Sequence, residues 1–202
     1  MALKPVTRQA GTRWSRWMAA CFALSLLVNL ATVWGTWQRR ADHLRELARS
    51  LATTNALAAE VFGPGPSPVQ GSAQEPSVKT LNLMVQIGRA EAAASQVYGD
   101  YGLDFGGGNL DSIWGVEQAV VALAGLPADA WQSAEGQGLI SDIQSTLSTY
   151  AGGVNRLAEH VPVTRSALAK DLAQFSQTLP TAHDFVARSS QLWNKSKGEP
   201  AR

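Results

Sequence analysis

The side chains of this sequence that could carry out chemistry are few, and none of them has a recognised catalytic spacing. The three histidines, His43, His160 and His183, occur in unrelated contexts and lack the paired spacing of a metalloprotease helix. His160 follows Glu159 and His183 precedes Asp184, and each of these pairs could offer two ligands to a metal ion. A histidine beside an acidic residue is common on protein surfaces, so we predict no metal site and no other cofactor.

Motifs for nucleophilic catalysis and for phosphate binding are also missing from the sequence. There is no Gly-x-Ser-x-Gly elbow, no phosphate-binding loop and no dinucleotide-binding fingerprint. The single cysteine, Cys21, lies within an apolar run, where a thiol cannot act as an ordinary nucleophile. One cysteine also excludes an intramolecular disulfide and a cysteine-cluster metal site. The sequence therefore predicts a protein that is not an enzyme.

The segment from Gly99 to Asp111, GDYGLDFGGGNLD, combines acidic, aromatic and glycine residues. Its oxygen-bearing side chains are of the kind that calcium prefers, but their spacing differs from that of the calcium-binding loop. Two interpretations are open, an ordinary interhelical loop that ends in a helix cap and a loop that becomes ordered on contact with a partner. The residues predicted to meet the partner are Tyr98, Asp100, Tyr101, Asp104, Phe105 and Asn109.

The charge of the chain is unevenly distributed. The 202 residues include 17 basic and 16 acidic side chains and have a formal net charge of +1. This balance disfavours a nucleic-acid-binding protein that works by neutralising phosphates, so no nucleic-acid partner is predicted. Residues 1–50 carry a net charge of +6 and residues 51–202 carry −5. A basic N-terminal end of this kind indicates contact with a membrane or another polyanion.

The apolar run at residues 17–37 favours a membrane over another polyanion, because its 21 positions hold no charged side chain. As a helix it would be about 31 Å long, close to the thickness of the hydrocarbon core of a bilayer. We predict a transmembrane signal-anchor helix that follows a basic tail at residues 1–16. A cleavable signal peptide is the alternative, but tryptophans and arginines stand where its small-residue cleavage site is expected. The predicted membrane-interface anchors are Trp14, Trp17, Trp34, Trp37, Arg13, Arg16, Arg39 and Arg40.

The orientation of this helix follows from a weaker signal. Four basic residues precede the run and four follow it before residue 50, so the positive-inside rule gives a tie. The N-terminal tail has no acidic residue, whereas Asp42 and Glu46 follow the run. We predict a bacterial inner-membrane protein that has its N-terminus in the cytoplasm and its C-terminal domain in the periplasm.

Two segments are predicted to separate the membrane helix from the domain. Residues 38–62 carry Leu44, Leu47 and Leu51 at the spacing of a heptad seam. This face could pair with a second copy of the chain and form a helical stalk, or it could rest on another surface. Residues 63–77 hold four of the nine prolines and are predicted to be a linker, since no helix continues through them. A polyproline ligand for a partner is the alternative.

Residues 78–199 show helical periodicity and almost no strand alternation. The predicted fold class is therefore all-α, with a soluble bundle of about four or five helices after the membrane helix, the stalk and the linker. The first bundle helix begins at Val78, and we expect it to bury an apolar face. That face consists of Leu81, Met84, Val85, Gly88 and Ala92.

The later part of the domain gives the clearest helical pattern. Apolar residues recur at alternating steps of three and four from Ile140 to Val161, although Gly152 and Gly153 fall within this stretch and could kink or end the helix. The sequence Thr181-x-x-Asp184 predicts a capping box at the start of the last helix.

These features favour a structural or assembly subunit of a bacterial envelope complex, of the secretion, conjugation, pilus or division type. Such a subunit would be anchored in the membrane and would bind other envelope proteins. The alternative is a periplasmic sensor that binds a ligand and acts through a partner subunit. A membrane-tethered enzyme is a third possibility, but the sequence offers no catalytic pair for it.

Overall fold

The structure is a computed structural model, and it describes residues 10–63, 77–103, 111–161 and 163–198. No strand occurs in these ranges, so the predicted all-α fold class is confirmed. The chain divides into two compact units, Met1–Arg39 and Arg40–Arg202. The helices in the described ranges are α1 (Ala10–Val61), α2 (Val78–Tyr101), α3 (Asp111–Ala124), α4 (Ala128–Gln132), α5 (Ala134–Glu159), α6 (Arg165–Thr178) and α7 (Ala182–Ser196).

In the first unit, the part of α1 between Trp17 and Trp37 has no buried side chain. Among the described helices, α1 has the length and the apolar composition to cross a membrane, which are also the properties of a signal sequence. Two threonine hydroxyl groups of this stretch bond within the helix, because Thr32 donates to the carbonyl oxygen of Val28 at 2.6 Å and Thr36 donates to that of Val33 at 2.7 Å. This stretch can therefore enter an apolar medium without leaving these hydroxyl groups unpaired.

In the second unit, the C-terminal part of α1 is a core helix. Leu44, Leu47 and Leu51 are each at most 1% exposed and belong to the same apolar cluster as side chains from all the other described helices. α1 and α2 lie side by side in opposite directions, since Glu60 pairs with Lys79 at 3.7 Å and His43 meets Asp100 at 2.5 Å. The heptad-like seam is thus covered by helices of its own chain.

The sequence predicts a stalk that is separate from the domain, and the structure differs from this prediction. Residues 40–61 belong to the same compact unit as α2–α7, and the interpretation in which the seam rests on another surface describes them better than a self-pairing stalk. The physical reason is that an antiparallel neighbour, α2, offers its own apolar face to the seam. The predicted linker falls mainly on residues 64–76, which lie outside the described residues.

Helix α2 buries a different face from the predicted one. Its buried side chains include Leu83, Ile87 and Val97, whereas Leu81 is 48% exposed and Val85 is 56% exposed. The space beside Gly88 is open, because a Cβ atom built there would have no atom within 4 Å. The helix is apolar on two faces, and contact with the rest of the unit covers one of them.

Helices α3 and α7 approach each other closely near their first turns. A Cβ atom at Gly115 would lie 2.6 Å from the Cα atom of Ala182, so glycine permits this contact. The hydroxyl of Ser112 donates to the carbonyl oxygen of Pro180 at 2.8 Å. The predicted capping box is confirmed, because the side chain of Thr181 accepts from the backbone N–H of Asp184 and the Asp184 carboxylate accepts from that of Thr181.

Helix α5 continues through Gly152 and Gly153 without a break. Its predicted apolar stripe is buried from Ile140 to Leu157, while Val161 lies beyond the helix end and is half-buried. α6 packs against α5 through the ring of Phe175, which lies edge-on to Tyr150 at 5.8 Å between ring centroids. The second unit therefore consists of α2–α7 and part of α1, more helices than the four or five that the sequence predicts.

Candidate interaction surfaces

The residues considered as metal ligands are dispersed in the structure. No group of three or more histidine, cysteine, aspartate or glutamate side chains that could hold a metal ion occurs in the described parts of the chain. The Nδ1 atom of His160 lies 2.7 Å from the carbonyl oxygen of Arg156, and His183 is exposed at the start of α7. The Asp184 carboxylate is held by the backbone N–H and hydroxyl of Thr181, and these hydrogen bonds lower its pKa.

The predicted partner loop is shorter than the sequence indicates. Tyr98, Asp100 and Tyr101 belong to α2, which ends at Tyr101 and is capped by Gly102 in the left-handed conformation, with φ of 59°. The helix extends this far because Tyr98 and Tyr101, at 2% and 4% exposure, continue its buried face. Asp104, Phe105 and Asn109 lie outside the described residues.

Two of the predicted loop residues make specific contacts with α1. Asp100 meets Nδ1 of His43, and the ring of Tyr101 lies under the guanidinium of Arg40, with 5.2 Å between Cζ and the ring centroid. Burial raises the pKa of Tyr101, the charge of Arg40 opposes this and the charge of Asp100 adds to it. These contacts join the start of the second unit's α1 segment to the end of α2.

Most of the predicted membrane-interface residues are exposed, as a contact with the membrane interface requires. Trp14, Trp17, Trp34 and Trp37 are 49–75% exposed, and Arg16 and Arg39 are exposed as well. Arg40 is the exception, because it is half-buried above Tyr101 in the second unit. The side chain of Arg13 lies outside the described residues.

A cavity of about 410 Å³ lies between α5 and α7. It is lined in part by Arg188, Gln191, Asn194 and Lys195. Both cationic side chains already have partners, since Arg188 pairs with Asp142 and Lys195 pairs with Glu135 at 2.6 Å. The volume suits a small molecule, but the cavity offers no unpaired charge to hold one.

The exposed large apolar side chains of the second unit are concentrated on two adjacent helices. In its described residues, all of them lie on α2 and α3, and they are Val78, Leu81, Val85, Trp114 and Val121. Each is 44–73% exposed. The α2 members repeat at helical spacing, as do the two α3 members, and α2 packs against α3. We call this surface, defined by Leu81, Val85, Trp114 and Val121, the α2–α3 face.

Two half-buried carboxylates lie on the same two helices, Glu91 on α2 and Glu117 on α3. Glu117 is positioned between Trp114 and Val121 on α3, and Glu91 on α2 is close enough to be affected by its charge. Burial and the charge of Glu117 both raise the pKa of Glu91. Neither carboxylate forms an ion pair with a cation among the described residues. The sequence pattern missed this surface because the apolar face of α2 was expected to be buried.

The chain matches no family model, and no curated protein or solved structure matches it either. Its function therefore has to be argued from its own surfaces. Those surfaces are an apolar helix near the N-terminus and a partly apolar face on a helical domain.

Proposed function

We propose that the protein is a single-pass inner-membrane subunit of a bacterial envelope complex, of the secretion, conjugation, pilus or division type. In this proposal residues 17–37 span the membrane, the N-terminus is cytoplasmic and the helical domain binds other envelope proteins in the periplasm. The role is structural and the protein does not catalyse a reaction.

The observation that carries the proposal is that the protein buries no side chain of the apolar run. In the 18-residue window of α1 that is apolar enough to cross a membrane, no side chain is buried by the protein. Each fully exposed apolar side chain of this size costs about 1.5–3 kcal/mol in water relative to an apolar environment. A run of such residues needs a nonaqueous medium, and its length matches that of a bilayer.

Membrane fractionation and topology mapping would test this function. We expect the full-length chain to stay in the membrane after alkaline extraction and to retain residues 1–37 by intact mass. Alkaline phosphatase fused after residue 202 should be active, because this enzyme works only outside the cytoplasm. Release of a shorter chain into the periplasm would instead establish a cleaved signal sequence and would overturn the anchor.

Membership of a complex would be tested by purifying the full-length protein in mild detergent and measuring the mass of the native assembly. We expect at least one other envelope protein in fixed stoichiometry. A matched control carries Leu26→Arg and Leu27→Arg, because charges at the centre of the span oppose insertion by about 2.5–3.5 kcal/mol each. Recovery of a lone chain from membranes would contradict the role of assembly subunit.

A periplasmic sensor is a second candidate, and the cavity between α5 and α7 is the observation that favours it. A sensor of this kind would bind a small molecule beside Gln191 and Asn194 and would act through a partner subunit. Thermal shift measurements against a small-molecule library would show a ligand-dependent rise in melting temperature. Loss of that rise on Gly138→Trp, which fills the cavity, would assign the ligand to this cavity.

A further inference from the structure

We propose that the α2–α3 face is a docking site for an amphipathic helix of a partner protein, and that this helix carries a lysine or arginine among its apolar residues. The inference rests on the proposed function and adds the location of the partner site and the chemistry of the partner. It is carried by two independent features of these helices, their exposed apolar side chains and their two unpaired carboxylates.

The apolar part of the surface has the form that accepts a helix. Leu81 and Val85 are exposed on α2, Trp114 and Val121 are exposed on α3, and these two helices pack against each other. A third helix can pack on two such helices through side chains at steps of three and four residues. α3 has 14 residues and is about 21 Å long, so the surface suits a partner helix of about four turns. Trp114, 44% exposed, is the residue type most enriched at binding hot spots.

The carboxylates define the charge of the occupant. Glu91 and Glu117 are half-buried and repel each other, and no described cation of the chain compensates them. An incoming helix that covers these carboxylates would exclude water and would increase this repulsion unless it brought a positive charge. A lysine or arginine near the centre of the partner helix would pair with both carboxylates.

The same two carboxylates disfavour the other occupants. Two copies of the chain that met through this face would bring four carboxylates together in an apolar interface. A bacterial membrane surface is anionic, so it would repel Glu91 and Glu117 where it covered them. A basic amphipathic helix is the occupant that satisfies both the apolar side chains and the charges.

Site-specific photocrosslinking in cells that express the full-length chain would test the inference. Val121 is replaced by the photoreactive amino acid p-benzoylphenylalanine, and the exposed Ser148 on α5 is replaced in the same way as a control. We expect a crosslinked protein at position 121 and a much weaker one at position 148. Mass spectrometry of the crosslinked peptide should give an amphipathic helical sequence with a lysine or arginine between apolar residues.

Charge exchange then tests the predicted pairing. Glu91→Lys with Glu117→Lys should lower the yield of the crosslink about tenfold, and changing the basic residue of the partner to glutamate should restore it. The thermal unfolding of the double lysine variant is measured first, and Glu91→Gln with Glu117→Gln serves as the milder variant if the lysines unfold the domain. With the glutamine pair the yield should fall less steeply and should no longer depend on the charge of the partner residue.

Several results would overturn the inference. They are a crosslink to a second copy, a crosslink to lipid alone, a crosslinked peptide without a basic residue, and a yield at position 121 no greater than at position 148. If an envelope protein co-purifies with the chain while position 121 gives any of these results, the proposed function stands and the docking site is wrong. If no protein co-purifies and none is crosslinked, both are wrong.

Discussion

Two adjacent glycines in the middle of α5 have opposite surroundings. Gly153 is buried, and a Cβ atom added there would lie 2.0 Å from Cζ of Phe175 and 2.6 Å from its Cε1 atom. Gly152 is exposed, and a Cβ atom there would have no atom within 4 Å. Gly153 thus creates the space into which α6 inserts the ring of Phe175, whereas Gly152 contributes only backbone flexibility to the unfolded chain.

Replacing each glycine by alanine should therefore change stability in opposite directions. Gly153→Ala should lower the free energy of unfolding by about 1–3 kcal/mol, because the ring of Phe175 must leave its contact with Tyr150. Gly152→Ala should raise it by about 0.5–1 kcal/mol through helix propensity. Urea unfolding of residues 40–202, followed by circular dichroism, measures both changes.

A double substitution controls for the assigned cause. In a Phe175→Ala background the ring is gone, so adding Gly153→Ala should cost nothing further or should stabilise the domain. If Gly153→Ala is equally destabilising with and without the ring, the close contact with Phe175 is not the reason for this glycine.

The carboxylates of Glu91 and Glu117 should make stability depend on pH. Burial and the charge of Glu117 raise the pKa of Glu91, so folding favours its protonated form. Stability from this group is therefore present below its ordinary pKa of 4.5 and is lost as pH rises through the higher pKa of the folded state. Glu117→Gln should stabilise the domain by about 0.3–0.5 kcal/mol at pH 7 and have almost no effect at pH 4.

Comparing this variant with Glu159→Gln isolates the charge pair. Glu159 is exposed and accepts a hydrogen bond from Asn155, which glutamine can retain, so this control changes net charge equally at a distance from Glu91. Urea unfolding of residues 40–202 at the two pH values gives the difference. An equal gain in both variants would assign the effect to net charge alone.

At the scale of elements, α5 and α2 show which part of the fold can be predicted from sequence. α5 has one apolar stripe, so its buried face follows from periodicity, and Ile143 and Leu147 are fully buried as expected. α2 has two apolar faces with the same spacing, one that includes Ile87 and one that includes Val85. Periodicity alone cannot predict which face is buried, because this depends on how α2 packs against the seam of α1 and the other helices of the unit.

The candidate docking surface could not be predicted from the sequence either, because it also depends on tertiary packing. Glu91 and Glu117 lie on different helices, and only the register of α2 against α3 brings their charges close together. Proline and glycine at residues 63–77 predict that a helix does not continue, but they carry no information on whether the preceding helix packs on the following domain. Tertiary packing decides both points.

The role of α1 as a core helix predicts where the folding unit begins. Leu44, Leu47 and Leu51 are buried against the rest of the unit, and at about 1.5–3 kcal/mol each they account for about 4.5–9 kcal/mol. This is comparable to the whole stability of an ordinary domain. We expect residues 40–202 to unfold cooperatively and residues 78–202 to be partly unfolded and to bind the dye ANS.

A complementation experiment distinguishes lost packing from an accidental effect of truncation. Adding a peptide of residues 40–62 should restore cooperative unfolding to residues 78–202, and the same peptide with Leu47→Asp should not. If residues 78–202 melt at the same temperature as residues 40–202, the stalk is independent of the domain and the assignment of α1 to the core is wrong.

At the scale of the whole molecule, apolar surface that water would disfavour occurs in two places. In the described residues the exposed large apolar side chains lie either between Trp14 and Trp37 or on α2 and α3. The first set has no charged residue from position 17 to position 37, whereas the helices that carry the second set also carry Glu91 and Glu117. Lipid suits the first surface and a basic partner suits the second, so the two surfaces are expected to perform separate tasks.

This separation can be tested by replacing the span while leaving the domain intact. If residues 17–37 serve only as an anchor, their length and hydrophobicity matter and their sequence does not. We therefore expect a variant with alternating leucine and alanine at residues 18–33 to remain in the membrane and to co-purify with the same partner at the same stoichiometry. Asn29→Leu alone controls for a polar contact within the membrane, which would contribute about 0.6–2 kcal/mol. A partner lost with either variant would show that the span also recognises another helix, because Glu91, Glu117 and the exposed apolar side chains of α2 and α3 are unchanged in both.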